Sequence, residues 1–280
     1  MQSATSAGRR EIRVSRRGEI DARDYVAVEE PMEVRVNGAS FAVIMRTPGA
    51  DRDLAAGFLL AEDVIRHADE IGTIEYCQDV TDEGRDNTLN VTVTGGAVER
   101  LEARLGERRQ VMMTASCGLC GRRTIESLQS RVAAVGGAWT VTTEVIASLP
   151  ERLRAAQAVF ESTGGLHAAG LFDRAGQLQL SAEDVGRHNA VDKIVGRTLL
   201  EGKHPLDHSI LLVSGRTSFE LVQKALLAGI PLIAAVSAPS SLAIDLAEQA
   251  GITLCGFVRG PRFNIYSHAH RISQQSTVDS

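Results

Sequence analysis

Val213-Ser214-Gly215-Arg216-Thr217-Ser218 connects a short apolar strand pattern to a helical pattern. The same succession recurs at Val236-Ser237-Ala238-Pro239-Ser240-Ser241. A strand followed by a tight polar turn and then at once by a helix is typical of parallel strands joined by crossover helices. A third polar junction, 183–189, precedes another helical stretch. These junctions predict an α/β fold for the second half of the chain, with a partly parallel, mixed sheet whose faces are covered by helices.

Alternating strands and helices extend this pattern through the second half. The predicted strands are 167–172, 178–180, 209–213, 231–236 and 252–257, and the predicted helices lie near 189–200, 218–228 and 240–250. Ahead of them, Ser148-Leu149-Pro150-Glu151 predicts a capped helix start, and Gly164-Gly165 predicts the end of that helix. Residues 124–135 show a weaker helical pattern.

The first half of the chain favours a smaller α+β domain. Residues 23–46 alternate between apolar and polar positions, and Asn37-Gly38 predicts a hairpin turn. Asp51 is predicted to cap a helix that runs to about His67 and serves packing alone. Further strands are predicted at 71–77 and 87–94. We expect three parts: an α+β domain over residues 1–110, a mobile cysteine loop over 111–124 and an α/β domain over 125–280.

Length and composition limit the class of protein. The chain has 280 residues, 44% of them hydrophobic and 23% charged, with a formal net charge of −5. These values are typical of a globular protein and give no overall basic field for nucleic acid. Residues 1–18 lack the apolar stretch of a secretory signal, and no apolar run reaches the roughly 18 residues of a membrane span. We therefore expect a cytoplasmic protein with no nucleic-acid or membrane partner.

Ser116-Cys117-Gly118-Leu119-Cys120-Gly121 is the main chemical motif of the sequence. Its two thiols are close enough to serve one reaction centre, and Arg122 and Arg123 favour the thiolate form. The spacing leaves four interpretations open: a packed pair without function, half of a metal site, a dithiol couple, or a thiolate that carries a transferable atom. Cys77 and Cys255 lie in strand patterns and are predicted to be packed. Only four cysteines in the chain suit a reducing compartment.

The strand-to-helix junctions also share a design that suits phosphate. Main-chain amides at a helix N-terminus attract anions, and hydroxyl and arginine side chains beside them add donors. The residues predicted to bind a phosphate or nucleotide are Ser214, Gly215, Arg216, Thr217, Ser237, Ser240 and His188. Serine is equally common as an ordinary helix cap, so any single junction could be structural. The presence of three in one sheet favours binding.

Further polar features accompany these junctions. A turn formed by Phe257, Val258, Arg259, Gly260, Pro261 and Arg262 could stack on a base and pair with phosphate, or could be only an edge-strand turn. The polar residues Glu183, Asp184, Arg187, His188, Asp192 and Lys193 form a dense cluster that favours a functional role. His167 is a candidate base or ligand, with a structural role as the equal alternative.

Together these motifs resemble the FdhD/NarQ family of formate dehydrogenase accessory sulfurtransferases. The matching segments are 116–121, 163–169, 183–193, 214–220, 237–241 and 256–262, and the resemblance covers roughly residues 20–267. The family implies a small N-terminal α+β domain followed by a cytidine-deaminase-like three-layer α/β domain with a mixed sheet. It also implies a homodimer.

In function, the resemblance implies sulfur delivery. Such proteins take persulfide sulfur from a cysteine desulfurase and pass it to the molybdenum (or tungsten) bis-guanine-dinucleotide cofactor of formate dehydrogenase. On this sequence Cys117 would bear the persulfide, Cys120 would assist or accept, and residues 257–262 would contact the cofactor. The cofactor would be an acceptor substrate and not a permanently bound group. Deaminase chemistry is not expected, because His167-Ala168-Ala169 lacks the required glutamate.

Other functions fit parts of the pattern. A chaperone that holds the molybdenum cofactor and inserts it into formate dehydrogenase would use the junctions but not the cysteines. A thioredoxin-like enzyme is disfavoured because the cysteine pair does not follow a first strand. Zinc bound by the pair and His167 would lack a second cysteine pair, so no metal site is predicted.

Overall fold

The computed structural model describes residues 5–15, 18–78, 82–114, 135–136 and 139–273. The strands are β1 (Ser6–Ser15), β2 (Gly18–Ala27), β3 (Glu30–Val36), β4 (Ala39–Arg46), β5 (Ile71–Tyr76), β6 (Thr88–Val93), β7 (Val141–Thr142), β8 (His167–Phe172), β9 (Leu178–Asp184), β10 (Ile210–Val213), β11 (Leu232–Ala235), β12 (Thr253–Arg259), β13 (Arg262–Ser267) and β14 (Ile272–Ser273). The helices are α1 (Asp51–Ala61), α2 (Gly96–Thr114), α3 (Thr143–Ala155), α4 (Ala158–Thr163), α5 (Arg187–Leu200), α6 (Phe219–Leu227) and α7 (Ser241–Ala250).

The larger sheet has the strand order β13-β12-β11-β10-β8-β9. Strands β10, β11 and β12 run parallel to one another, whereas β8, β9 and β13 are each antiparallel to the strand beside them. The predicted mixed sheet and all five strands predicted for this half are confirmed. Strand β13 was not predicted; it follows the turn after Arg259 and pairs back onto β12 as a hairpin.

Helices pack on both faces of the larger sheet because successive strand residues point to opposite sides. In β10, Ile210 and Leu212 belong to one buried cluster and Leu211 and Val213 to another. The first cluster includes apolar residues of α3, and the second includes apolar residues of α5, α6 and α7. The order of layers is therefore helix, sheet, helix. A cytidine-deaminase-like arrangement of these layers stays a prediction.

A smaller sheet, with the order β4-β3-β6-β5, packs on the same cluster as α5. Helix α1 crosses α5 at very short range: a Cβ on Gly57 would lie 2.0 Å from the main-chain oxygen of Asp192, and one on Gly196 would lie 1.8 Å from that of Asp53. Both crossing points require glycine, because any side chain would overlap main-chain atoms. One hydrophobic cluster thus spans both sheets, and the division into two domains at residue 110 stays a prediction.

Both ends of the helix predicted to start at Asp51 differ from the prediction. Helix α1 ends at Ala61 and not near His67, and Ala50 occupies the cap position. Asp51 is not the cap, because its carboxylate is buried and accepts two bonds from the Arg46 guanidinium, at 2.9 and 3.1 Å. The hydroxyl of Tyr76 donates a further bond of 2.9 Å to the same carboxylate.

The helix predicted to begin at Ser148 begins earlier. Helix α3 starts after Thr142, whose hydroxyl accepts a bond from the amide of Val145. The Ser148 hydroxyl instead donates to the Val145 carbonyl, and Pro150 lies inside the helix. Helix α3 ends at Ala155, so the predicted helix is interrupted before Gln157. The short helix α4 follows and ends before Gly164, as predicted, with Gly164 in the left-handed conformation.

The region that leads to the cysteine motif is helical. Helix α2 continues to Thr114, so residues 111–114 are not part of a loop. Residues 115–134 lie outside the described residues, and with them the cysteine motif and most of the weaker helical pattern at 124–135. None of the helices in the described ranges is both long and apolar enough to cross a membrane.

Candidate functional site

The predicted phosphate junctions meet at one edge of the larger sheet. Val213 at the end of β10 pairs with Ala235 at the end of β11, and β12 ends beside them in parallel. The antiparallel β8 brings its first residue, His167, to the same edge, where it pairs with Asp184 at the end of β9. In an open α/β sheet this edge, beyond the carboxyl ends of the parallel strands, is where ligands bind.

Main-chain hydrogen bonds hold these junctions together. The amide of Thr217 donates to Ala238 over 3.2 Å, and the amide of Ser240 donates back to Thr217 over 3.0 Å. The amide of Phe257 donates to the carbonyl of Ser237 over 3.1 Å, which joins the end of β12 to the junction after β11. The structure therefore brings together the segments that the sequence predicted separately.

Some serines at these junctions bond to main-chain amides and are structural, whereas Ser218 makes no such cap bond. Ser240 is an ordinary cap, because its hydroxyl accepts a bond from the amide of Ala243. The Ser214 hydroxyl accepts from the amide of Ala168 over 2.9 Å and so fixes the start of β8. Ser218 precedes α6 but makes no cap bond with its side chain, and Gly186 before α5 has no side chain to cap with. The N-termini of α5 and α6 are thus the two suited to an anion.

Two buried polar atoms at this edge have no hydrogen-bond partner among the described residues. They are the hydroxyl of Thr217, a residue that is only 1% exposed, and Nε of Arg187. A buried polar group without a partner costs free energy, and such groups in a native protein point to a ligand or to water. Arg187 lies in the third predicted junction and in the predicted polar cluster but was not among the predicted binding residues; its position in the first turn of α5 was the available signal.

His188 and His167 are neutral components of the edge. The His188 Nε2 lies 3.0 Å from the Ser218 hydroxyl and 3.2 Å from a carboxylate oxygen of Glu220. Burial, opposed by Glu220 and reinforced by Arg187, lowers the pKa of His188 to about 4. Burial and the nearby Arg187 also lower the pKa of His167. Both rings are therefore uncharged at neutral pH and can accept or donate a hydrogen bond.

The turn predicted at 257–262 presents some of its residues and hides one. Phe257 is 38% exposed and has a φ of 54°, which is unusual for any residue with a bulky side chain. Val258 was predicted to contact the ligand, but its side chain is fully buried in the apolar cluster beneath and is not available to a ligand. Arg259 donates to the carbonyl of Val236 over 3.3 Å, and Gly260, Pro261 and Arg262 are exposed at the hairpin tip.

Most of the predicted polar cluster is structural. The carboxylate of Glu183 accepts bonds from the first amides of α4, at 2.7 Å from Phe160 and 3.0 Å from Val159. Asp184 pairs with Lys193 at 2.7 Å, and Asp192 pairs with Lys224 at 2.6 Å, both as buried ion pairs. Only Arg187 and His188 of this cluster face the edge.

A pocket opens on the α3 side of the same edge. It has a volume of about 530 Å³ and is lined mainly by apolar groups, together with polar side chains such as His167, Arg154 and Ser214. Gly215 lies so close to His167 that a Cβ there would be 3.3 Å from Nδ1 of the ring. The absence of a side chain at Gly215 therefore leaves room for the His167 ring at this position.

The described cysteines do not contribute to the edge. Cys255 is fully buried, and this burial raises the pKa of its thiol to about 12, which leaves it protonated and unreactive. Cys77 is partly exposed at the end of β5. Cys117 and Cys120 lie outside the described residues, so their distance from the edge stays untested. Within the described ranges there is no cluster of three or more metal-ligating side chains.

Comparison with known proteins agrees with this architecture. The model of the FdhD/NarQ family matches residues 27–273. The chain belongs to the FdhD/NarQ family. Among its relatives, a protein named Sulfur carrier protein FdhD from Nocardia farcinica is 48% identical, with 99% of this chain and 98% of the relative aligned. A protein of the same name from Streptomyces avermitilis is 50% identical, with 96% and 97% aligned.

A solved structure shares the fold. The crystal structure of a Desulfotalea psychrophila protein, described as a formate dehydrogenase accessory protein, is 25% identical and superimposes with a TM-score of 0.75. The match covers 96% of this chain and 100% of the other. The resemblance proposed from sequence motifs is thus confirmed at the level of family and of the mixed α/β fold.

Proposed function

We propose that this chain is a sulfur carrier for formate dehydrogenase: a sulfurtransferase that accepts persulfide sulfur from a cysteine desulfurase and delivers it to the molybdenum (or tungsten) bis-guanine-dinucleotide cofactor. The observation that carries the proposal is the edge of the larger sheet, where the predicted junctions meet and where Arg187 and Thr217 hold unpartnered buried donors. The names of the relatives, sulfur carrier and formate dehydrogenase accessory protein, support the same function.

Cys117 carries the sulfur in this proposal. Its thiolate attacks the outer sulfur of the donor persulfide, so that a Cys117–S–SH persulfide forms and the donor thiolate leaves. The thiolate of Cys120 then attacks the inner sulfur, which forms a Cys117–Cys120 disulfide and releases the outer sulfur as sulfide to the metal. Oxidation of the two cysteine sulfurs to the disulfide supplies the two electrons that reduce the outer sulfur to sulfide, and a cellular thiol reductant then regenerates the dithiol.

The sheet edge holds the acceptor cofactor as a substrate. The N-termini of α5 and α6 and the unpartnered donors of Arg187 and Thr217 suit its phosphates, and Arg216 after β10 and Arg262 at the hairpin tip are exposed. The exposed ring of Phe257 suits stacking on a guanine base. Assembly as a homodimer, a cytoplasmic location and a cytidine-deaminase-like second domain belong to the same proposal, because the family resemblance implies them.

The decisive experiment follows one sulfur atom. The purified chain is incubated with a cysteine desulfurase and cysteine, and intact and peptide masses are measured before and after a reducing agent is added. We expect a reversible gain of about 32 Da, the mass of one sulfur, on the peptide that contains Cys117. Cys117→Ala should abolish the gain, whereas Cys255→Ala is the matched control and should retain it, because the Cys255 thiol is buried and protonated.

The same variants test the alternative function, a cofactor chaperone. A chaperone would use the same binding groups at the edge but would not need the cysteines. Formate dehydrogenase activity is measured in a host that lacks its own copy of this protein. Full activity with Cys117→Ala would contradict sulfur carriage and favour the chaperone. Lost activity, together with an absent 32 Da adduct and retained guanine-nucleotide binding, would support the carrier.

A further inference from the structure

The junction between β9 and α5, which carries Arg187 and His188 to the edge, is anchored on one side by Asp184. This residue has 0% exposure, and each oxygen of its carboxylate accepts two hydrogen bonds. One oxygen accepts from Nζ of Lys193 at 2.7 Å and from the amide of Thr47 at 3.2 Å. The other accepts from the amide of Gly186 and from Nδ2 of Asn189, both at 2.8 Å. The acceptor capacity of this buried carboxylate is therefore used in full.

Lys193 completes the arrangement from the second turn of α5. Its ammonium has three protons and three partners: Asp184, the carbonyl of Thr47 at 2.9 Å and the carbonyl of Glu183 at 3.2 Å. The side chain is only 4% exposed. A buried ammonium with every donor satisfied is held in one position, because moving it would strand a charge in an apolar interior.

The remaining partners belong to the smaller sheet. Thr47 directly follows β4, and its hydroxyl accepts a bond of 3.2 Å from the amide of Val185. The side-chain amide of Asn189 donates a second bond, of 2.8 Å, to the carbonyl of Met45 in β4. The smaller sheet thus binds the junction both before and after Arg187 and His188.

We infer that Thr47, Asp184, Asn189 and Lys193 form a positioning clamp through which the smaller sheet sets the place of Arg187 and His188 at the edge of the larger sheet. A buried ion pair is rarely worth more to stability than apolar residues of the same volume, so stability alone does not explain this one. The position of its bonds does, because they reach main-chain atoms before the two edge residues and the side chain of Asn189 directly after them. The inference rests on the proposed function only in treating that edge as the ligand site.

A second buried ion pair supplies a matched control. Asp192 and Lys224 lie 2.6 Å apart, and their side chains are 3% and 10% exposed. Asp192 is on α5, one position before Lys193, but the two side chains bond to each other and not to the junction or to Thr47. The double variant Asp184→Asn/Lys193→Met breaks the clamp, and Asp192→Asn/Lys224→Met breaks the control pair. Each removes one positive and one negative charge, so the net charge of the chain is unchanged.

The experiment uses the full chain without any ligand. Hydrogen exchange is measured at the amides of Val185 and Gly186, the imidazole of His188 is titrated by NMR, and the thermal midpoint is recorded. For the clamp variant we expect exchange at both amides at least tenfold faster, and a His188 pKa that rises from about 4 toward the ordinary value near 6.5. For the control variant we expect a comparable loss in thermal midpoint, exchange at both amides retained, and a smaller rise in the His188 pKa than in the clamp variant, because the charge of Lys224 also lowers that pKa.

Equal changes in the two double variants, or no local change in the clamp variant, would overturn the inference. If the clamp variant fails to fold, Thr47→Val replaces it, because valine has the same shape and removes only the acceptor of the Val185 amide. Exchange at Val185 should then accelerate at least fivefold while the global fold is kept, and unchanged exchange overturns the clamp. Failure of sulfur loading at Cys117 would count against the proposed function and would leave these readouts unaffected.

Discussion

Gly57 of α1 lies against the carbonyl of Asp192 in α5 so closely that a Cβ on Gly57 would stand 2.0 Å from that oxygen. The reciprocal contact, between Gly196 and the carbonyl of Asp53, repeats this relationship one turn along the crossing. The two helices therefore touch through their main chains. Because α1 connects β4 to β5 in the smaller sheet and α5 covers the larger one, this crossing sets how the edge residues on α5 meet the smaller sheet.

Gly57→Ala should destabilise the chain strongly. The added methyl group overlaps main-chain atoms that cannot rotate away, so α1 and α5 must separate, at a cost of about 3 kcal/mol or more in the free energy of unfolding. Gly106→Ala is the control, because Gly106 is also in a helix but has no atom within 4 Å of the new methyl position. Alanine is the better helix former, so this control should gain about 0.5–1 kcal/mol. Chemical denaturation measures both, and similar values would contradict the close crossing.

The chain should lose stability in acid through His188. The folded chain holds this imidazole with a pKa of about 4, whereas the unfolded chain titrates near 6.5. The stability that His188 contributes is therefore present above pH 6.5 and is lost as the pH falls toward 4, because only the unfolded chain takes up the proton in that window. The loss is at most about 1.4 kcal/mol per pH unit.

Thermal midpoints between pH 4 and pH 7 test this linkage. His188→Gln should flatten the dependence of the midpoint on pH in that window, because glutamine cannot take up the proton. His208→Gln is the control at an exposed histidine, and it should leave the curve of the parent chain unchanged. A curve for His188→Gln that is as steep as that of the parent would contradict a neutral, half-buried His188.

Much of this fold was predictable from the sequence because its signals are local. The strands of the larger sheet are short apolar runs between glycine- or serine-rich turns, and the helices follow at once, so periodicity and turn chemistry placed them. The gathering of Ser214, Thr217, Ser237 and Phe257 at one edge followed from parallel order alone. Helix starts were less certain, because Asp51 and Ser148 have the residue type of a cap but bond elsewhere.

What the sequence concealed depends on contacts between distant segments. Asp184 and Lys193 looked like candidate site residues, but their partners at Thr47 lie more than 130 positions away and turn them into buried anchors. Val258 looked like a turn residue, and only the packing of β12 shows that its side chain points inward. The unpartnered donors of Arg187 and Thr217 likewise follow from burial that no local pattern encodes.

At position 257, glycine should give a more stable chain than alanine, which is the reverse of the usual order of stability. The φ of 54° at Phe257 disfavours every residue with a Cβ by about 1 kcal/mol, whereas glycine adopts it freely. Phe257→Gly should therefore unfold at a higher denaturant concentration than Phe257→Ala, although at ordinary positions alanine is the more stable. Phe263 in β13 is the control, where Phe263→Ala should be the more stable of the pair. Both Phe257 variants should lose guanine-nucleotide affinity equally, because both lack the ring that we propose stacks on the base.

Thr217→Val should separate stability from binding. The Thr217 hydroxyl is buried and has no partner in the part of the chain that the structure describes, so valine, which has the same shape, removes a desolvated polar group and should raise the free energy of unfolding by about 1 kcal/mol. Thr198→Val is the control, because the Thr198 hydroxyl donates to the carbonyls of Ile194 and Val195, and its loss should lower stability by about 1 kcal/mol. Calorimetric titration with a guanine nucleotide then measures whether the Thr217 hydroxyl contributes to ligand affinity. If the hydroxyl is kept for a ligand, the more stable Thr217→Val chain should bind at least fivefold more weakly, while Thr198→Val binds as the parent does. Unchanged affinity in Thr217→Val would exclude this hydroxyl from the ligand site.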